Sequence, residues 1–250
     1  MPLLKPPPGI QIKKHPLARG LVAGWLMNER SGATIYDISG YGNAGSFAGD
    51  PQWVAGKYGS ALDFDGNDHV GVGPGVLPSG PKTLVMSAQA PVSSDTRDKA
   101  MYRGYDGTAY WWLYYNDGTH YRAYYAGAGG YSVTYTVDIR DGKHHQIVFT
   151  YDGTTAKLYH DGIYRSSDTG NDHGPITSDE SISPNLPGQD AWKGLIDYVF
   201  IYNRALTASE IAWLYREPFA MFECPTSIAL LSYAEAAGEG IAILRRRRAG

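Results

Sequence analysis

One cysteine, Cys224, stands in 250 residues. No intrachain disulfide can form and no cysteine-based zinc site can be assembled. Stability must come from packing, from an oxygen-ligated ion or from association. Charge is scarce too: 19% of residues are charged and the net charge is −3. Such a balance gives no general attraction to nucleic acid or to an acidic substrate. The local exception is the four arginines at 245–248, a terminal run that reads first as solvated, so nucleic acid is not an expected partner. No apolar run approaches the length needed to span a bilayer, and no membrane contact is expected. The amino-terminal stretch MPLLKPPPGIQIKKHP has proline where the apolar core of a signal peptide would sit. Synthesis in the cytoplasm without a signal peptide, followed by a place on a virion or extracellular surface, is the expectation. A nucleophile elbow, a phosphate loop and a His-Glu-x-x-His pattern are all missing.

What the sequence does hold is glycine and tyrosine, 31 and 20 residues respectively, which favours strands and turns over long helices. The clearest stretch is DGKHHQIVFTYDGTTAKLYHDGIYR, residues 141–165. His145, Ile147, Phe149 and Tyr151 alternate with Gln146, Val148 and Thr150, the period of a strand. Asp152-Gly153 breaks the run, the strand resumes over 156–160, and Asp161-Gly162 suits the two central positions of a type I′ turn. His144 and His145 are adjacent on this strand, so their rings point to opposite faces. The composition and this meander predict an all-β fold.

Along the chain, residues 1–19 read as a Pro-rich basic arm and residues 20–216 as a β domain. Residues 217–250 read as a carboxy-terminal extension. Strands are expected at 21–27, 35–38, 60–64, 69–72, 82–90 and 195–202. Residues 166–192 read as one long polar loop. Thr207-Ala-Ser-Glu210 forms a capping box opening a short helix to about Arg216, with Ile211 and Leu214 inward. Beyond 217, a short apolar helix at 227–237, a stop at Gly238 and a final strand are expected, either covering one end of the fold or docking another chain. Between 101 and 137 the composition is dominated by aromatics. Asn116-Asp117-Gly118 marks a hairpin turn there, with aromatic residues on both faces of the flanking strands.

Five segments occur in a familiar order: GLVAGWLMNERSG, YDISGYGNAGSF, GSALDFDGNDHVGV, the 141–162 meander, and GLIDYVFIYNRALTASEIAWLY. Together, over roughly 20–215, they resemble laminin-G-like domains of the concanavalin A-like lectin/glucanase superfamily, the pentraxin-like branch included. The resemblance implies a two-sheet antiparallel jelly-roll sandwich, to which the capping box adds one short C-terminal helix and the chain ends add extended terminal arms. It also brings a test for glycoside hydrolysis, since glucanases of this fold carry Glu-x-Asp-x-Glu on one strand to flank the scissile bond. That pattern is missing here.

Two candidate sites follow. Asp63, Asp65, Asn67 and Asp68 are hard oxygen ligands suited to a structural calcium, and members of the resembled family often hold one. The competing reading is a solvated turn whose side chains bond their own backbone. No second ligand loop stands out; Asn171-Asp172 and Gln189-Asp190 are the nearest suggestions. Tyr102, Tyr105, Tyr110, Trp112, Tyr114, Tyr121 and Tyr125 make a candidate platform on which the apolar faces of sugar rings stack, with subunit contact and core packing as the alternatives. The resulting expectation is a non-enzymatic assembling surface protein, for example a decoration or fibre component of a phage-type virion. It would form a homo-oligomer or meet other surface proteins through 1–19 and 217–250. The alternative is a lectin-like module using the Tyr/Trp face, with a glycoside hydrolase as the weakest of the three.

Overall fold

A computed structural model describes residues 4–92, 99–105, 110–116, 120–125, 127, 129–172, 175–184 and 190–222. The helix and final strand expected in the carboxy-terminal extension, the arginine run and Cys224 lie outside these residues, as do Asp117-Gly118 of the expected hairpin turn and Gln189. In chain order the strands are β1 (Leu21–Trp25), β2 (Thr34–Ile35), β3 (Gly45–Ala48), β4 (Gln52–Gly56), β5 (Gly59–Asp65), β6 (His69–Gly71), β7 (Lys82–Gln89), β8 (Lys99–Tyr105) and β9 (Tyr110–Asn116). They continue as β10 (His120–Tyr125), β11 (Ser132–Thr136), β12 (His144–Tyr151), β13 (Thr155–His160), β14 (Ile163–Thr169), β15 (Asp179–Ile182), β16 (Asp190–Ala191) and β17 (Lys193–Tyr202). Helix α1 (Ala208–Arg216) follows.

The strands form two antiparallel sheets packed face to face as a jelly-roll sandwich. The front sheet runs β11-β10-β9-β8-β15-β6-β3-β2, with the short β16 lying parallel to β8. The back sheet runs β14-β13-β12-β7-β17-β5-β4, with β1 also paired to β17. Asp161 and Gly162 have φ of 51° and 77°, the two left-handed positions of the expected type I′ turn. The 166–192 loop is a correction. Most of β14, with β15 and β16, lies inside it. β14 is an edge strand exposed or half-exposed throughout, so its polar residues show no apolar period to read.

Between the sheets, Phe149 of β12 lies 5.0 Å from the Trp111 ring of β9, and Phe149 and Tyr151 stack on Tyr131, just ahead of β11, with Ile147 in the same cluster. Trp25, Phe64, Leu84, Met86, Val199 and Ile201 extend this core along the back sheet. The back sheet is apolar on its other face as well. Val85, Val148, Tyr198, Phe200 and Tyr202 pack there against Ile211 and Leu214 of α1. That second covering explains why β17 and the middle of β7 read as near-continuous apolar runs, and why Val148 stands among the outward residues of β12. The capping box is formed as expected: Thr207 accepts from Glu210 N while Glu210 accepts from Thr207 N. Arg204 donates two hydrogen bonds to the Glu210 carboxylate, at 2.9 and 2.8 Å.

The arm, expected to meet other chains, lies on its own back sheet. Leu17 is fully buried there, Ile10 and Ile12 pack against the same cluster, and Ile12 bridges to Phe222. Lys13 N donates to Met221 O at 3.0 Å, so the arm and residues 219–222 form one lid over the sheet. Lys5 N donates to Tyr58 O at 3.0 Å and its ammonium reaches Ser60 O. The same ammonium lies 3.8 Å from Asp197, with both side chains almost wholly enclosed. Burial pulls Lys5 down to about 8 despite that carboxylate. Asp197 is the extra residue of a β-bulge in β17, which shifts the strand's parity: Ile196 faces the core before it and Val199 after it. Its carboxylate fills space that a side chain on Gly56 would occupy, and His144 Nδ1 stands 2.6 Å from it.

Candidate functional site

The outer face of the front sheet carries an aromatic row. On β9, Trp111, Leu113 and Tyr115 turn into the core, which sends Tyr110, Trp112 and Tyr114 outward. Tyr105 of β8 pairs with Tyr110 and stacks on it at 4.5 Å. Tyr110 meets Trp112 edge-on at 5.5 Å, and Trp112 meets Tyr114 at 6.0 Å. Two arginines flank the row. The Arg103 guanidinium sits 5.5 Å from the Tyr110 ring and is held by Asp179. That of Arg122 sits 5.0 Å over Tyr124, and it donates to Tyr114 Oη and Ser132 Oγ at 3.1 and 2.7 Å. Thr134 and Thr136 of β11, opposite Arg122 and His120, complete an exposed polar margin. Tyr110 is 37% exposed, while Trp112 is half-buried with no hydrogen-bond partner for its Nε1–H among the described residues. Flat apolar rings with donors at their edges match the amphipathic surface of a saccharide, whose C–H faces stack while its hydroxyls bond the rim.

Of the seven aromatics expected on this platform, Tyr105, Tyr110, Trp112 and Tyr114 share the outer face, although Tyr114 is nearly covered. Tyr102, Tyr121 and Tyr125 do not; they point into the core between the sheets. The reason for Tyr121 and Tyr125 is register. Tyr114 lies opposite Arg122 and Trp112 opposite Tyr124, so even-numbered residues share a face across this hairpin. Tyr124 and Arg122 therefore belong to the face, as does Arg103 of β8 opposite Trp112, and the cross-strand register was the signal that finds them. Tyr102 instead donates to Glu180 Oε2 at 2.6 Å. Glu180, wholly buried on β15, also accepts from Val76 N and Leu77 N at 2.7 and 2.8 Å. Burial raises it to about 7 against the pull of those donors. Enclosed and fully bonded, it anchors the 75–77 turn and meets no outside molecule.

The expected calcium ligands do not converge. Asp68 is buried and its two oxygens accept from Asp50 N and Asp65 N, at 2.7 and 3.1 Å. Asp65 accepts from Asn67 N at 2.7 Å, closing the turn on its own backbone. Asp63 lies on the exposed side of β5, its carboxyl raised by partial desolvation and by the neighbouring Asp68 and Asp65. Asp172 is committed to Lys82 and Gly80 N. Among the described residues, these side chains do not gather round one point and do not fit a calcium ion.

Among the described residues, one other group places metal-competent atoms together: His145, His160 and Asp161. His144 and His145 do diverge as expected, His144 towards Asp197 and His145 towards His160. The partner that the sequence left unread is His160, fifteen residues away across the β12–β13 hairpin. The hydrogen bond to Asp161 holds His145 above its ordinary value, while burial pushes His160 down to about 4.

The family model for the concanavalin A-like lectin/glucanases superfamily matches residues 64–212, more than half of the chain. Among solved structures, domain 4 of AbnA, a GH43 extracellular arabinanase from Geobacillus stearothermophilus in complex with arabinotriose, superposes with a TM-score of 0.64 at 19% identity, covering 78% of this chain and 98% of that domain. The binding domain of Paraclostridial Mosquitocidal Protein 1 gives 0.65 at 17% identity, over 82% of this chain and 53% of its own. Trypanosoma rangeli sialidase in complex with sialic acid gives 0.63 at 19%, over 81% of this chain and 33% of its own. The chain thus spans nearly all of the arabinanase domain but about half and a third of the other two. No curated protein matches the chain closely enough to be a relative.

Proposed function

The chain belongs to the concanavalin A-like lectin/glucanases superfamily, and from that premise we propose that it is a non-catalytic carbohydrate-binding module working through the outer aromatic face of β8–β11. The observation that carries the proposal is the Tyr105–Tyr110–Trp112 row with Arg103 at its edge, apolar rings set beside charged donors on an otherwise polar sheet surface. That a domain of similar fold was solved with arabinotriose supports a glycan as the ligand. The non-catalytic reading is supported by Glu180 being enclosed and Asp179 being tied to Arg103. An assembling virion component draws less support, because the arm meant to engage neighbours is occupied with the chain's own back sheet.

Affinity electrophoresis and a glycan array test the proposal, using soluble arabinan, xylan, β-glucan and sialylated glycans as probes. Trp112→Ala and Tyr110→Ala should each weaken binding at least about tenfold, the loss of one stacked ring. Thermal unfolding should show both variants still folded. Binding by the intact chain to none of these glycans, or binding unchanged in both variants, overturns the assignment.

A further inference from the structure

At one end of the back sheet, three potential ligand atoms meet. His145 Nδ1 lies 2.9 Å from His160 Nε2 and 3.0 Å from Asp161 Oδ2, and His160 Nε2 lies 3.5 Å from Asp161 Oδ2. His145 comes from β12, His160 ends β13, and Asp161 opens the turn. Successive residues on a strand point apart, but the left-handed backbone at Asp161 brings its carboxylate round to the side of its neighbour's ring. We propose that His145 Nδ1, His160 Nε2 and Asp161 Oδ2 form a binding site for a divalent transition-metal ion of the zinc class, with Asp141 as the positioning residue for His145.

The spacing is that of ligands sharing one ion. A circle through the three atoms has a radius of roughly 1.8 Å, so a point about 2.1 Å from all of them lies ~1 Å off their plane, the bond length zinc makes to histidine nitrogen and carboxylate oxygen. Two imidazoles and one carboxylate suit zinc, nickel, copper or iron, whereas calcium wants six or more oxygens. The supporting partner is also in place: His145 Nε2 lies 3.2 Å from Asp141 Oδ1, the carboxylate–histidine arrangement that fixes which ring nitrogen faces the ion. Asp161 Oδ1 is held separately, accepting from Gln146 N at 2.8 Å, which leaves Oδ2 for the cluster. Tyr121 and Tyr135 wall the site, with ring centroids 5.6 and 5.7 Å from that of His160. The Tyr121 hydroxyl is buried beside it with no partner among the described residues. The Asp161 side chain is 25% exposed against 12% and 7% for the two histidines, so the ion would enter and keep its remaining coordination positions on that side. Bound there, it would tie β12 to the β13–β14 turn, a crosslink that a lone cysteine cannot provide.

Metal-free protein titrated calorimetrically with zinc, and separately with cobalt for its visible ligand-field bands, decides the matter. One ion per chain should bind and raise the melting temperature, with calcium producing neither effect. Asp161→Asn keeps a residue that tolerates the left-handed turn, so it should fold and lose affinity at least about tenfold. His160→Gln should lose it likewise. Asp141→Asn should weaken binding about 10- to 100-fold and shift the cobalt bands with the stoichiometry unchanged. His120→Gln, on the outer face of β10, should behave as the parent does. No binding at millimolar zinc, calcium binding as well as zinc does, or equal zinc binding by Asp161→Asn and the parent would overturn the proposal. Because these readouts involve no sugar, they stand apart from the test of the aromatic face.

Discussion

Replacing Lys5 with methionine probes whether the arm is part of the fold. Lys5 and Asp197 are 3% and 0% exposed, and their charged atoms lie 3.8 Å apart. Removing one member of an enclosed pair strands the other charge, which typically costs ~3–5 kcal/mol. His144 still stands 2.6 Å from Asp197, so the lower end, about 3 kcal/mol, is the expected loss for Lys5→Met. Methionine retains most of the apolar stem, so little of that loss comes from packing. Urea unfolding followed by tryptophan fluorescence should show a midpoint lower by about 1 M. The double variant Lys5→Met/Asp197→Asn should recover much of the loss, because replacing a whole buried pair is often close to neutral. A midpoint for Lys5→Met indistinguishable from the parent, or single effects that simply add, would refute the reasoning and return the arm to solvent.

Two further outcomes follow from buried and capping carboxylates. Glu180→Ala should cost about 3 kcal/mol in the same assay, since Val76 N, Leu77 N and the Tyr102 hydroxyl lose their shared acceptor inside the sandwich; a change under about 0.5 kcal/mol would contradict the enclosed network. At Glu210, burial opposes ionisation, but the Arg204 hydrogen bonds and the Thr207 amide outweigh it and draw the folded-state value down to about 2. A depressed carboxyl stabilises the fold above its unfolded value and loses that contribution as pH falls towards the folded one. The melting temperature should therefore drop as pH falls from the ordinary glutamate range to about 2, and Glu210→Gln should flatten that part of the profile; identical slopes would count against the Arg204–Glu210 contact.

Local chemistry made much of this legible from residue order. Asp161-Gly162 announced its turn and Thr207 with Glu210 announced the helix, because each motif acts over four residues or fewer. The aromatic face was half legible. Tyr110, Trp112 and Tyr114 alternate cleanly, but which residues of β10 join them depends on the cross-strand register, and a shift of one residue exchanges Tyr121 for Arg122. Asp197 was unreadable for a related reason. A bulge leaves both halves of β17 apolar and hides the change of parity. Where the arm docks was not legible, because Ile10, Ile12 and Leu17 are too sparse to show a period, and only the apolar outer face of the back sheet beside α1 gives them somewhere to go.

The lid made by the arm and residues 219–222 has a geometric corollary. Both lie behind the back sheet and are joined at Ile12 and Phe222, while the stacked rings occupy the opposite surface. Anything fastened through either of these segments would hold the sandwich from the rear, with its tyrosines and Trp112 turned outward. Such a mount gives the molecule a head and a foot, and leaves the head unobstructed however crowded the anchoring side becomes.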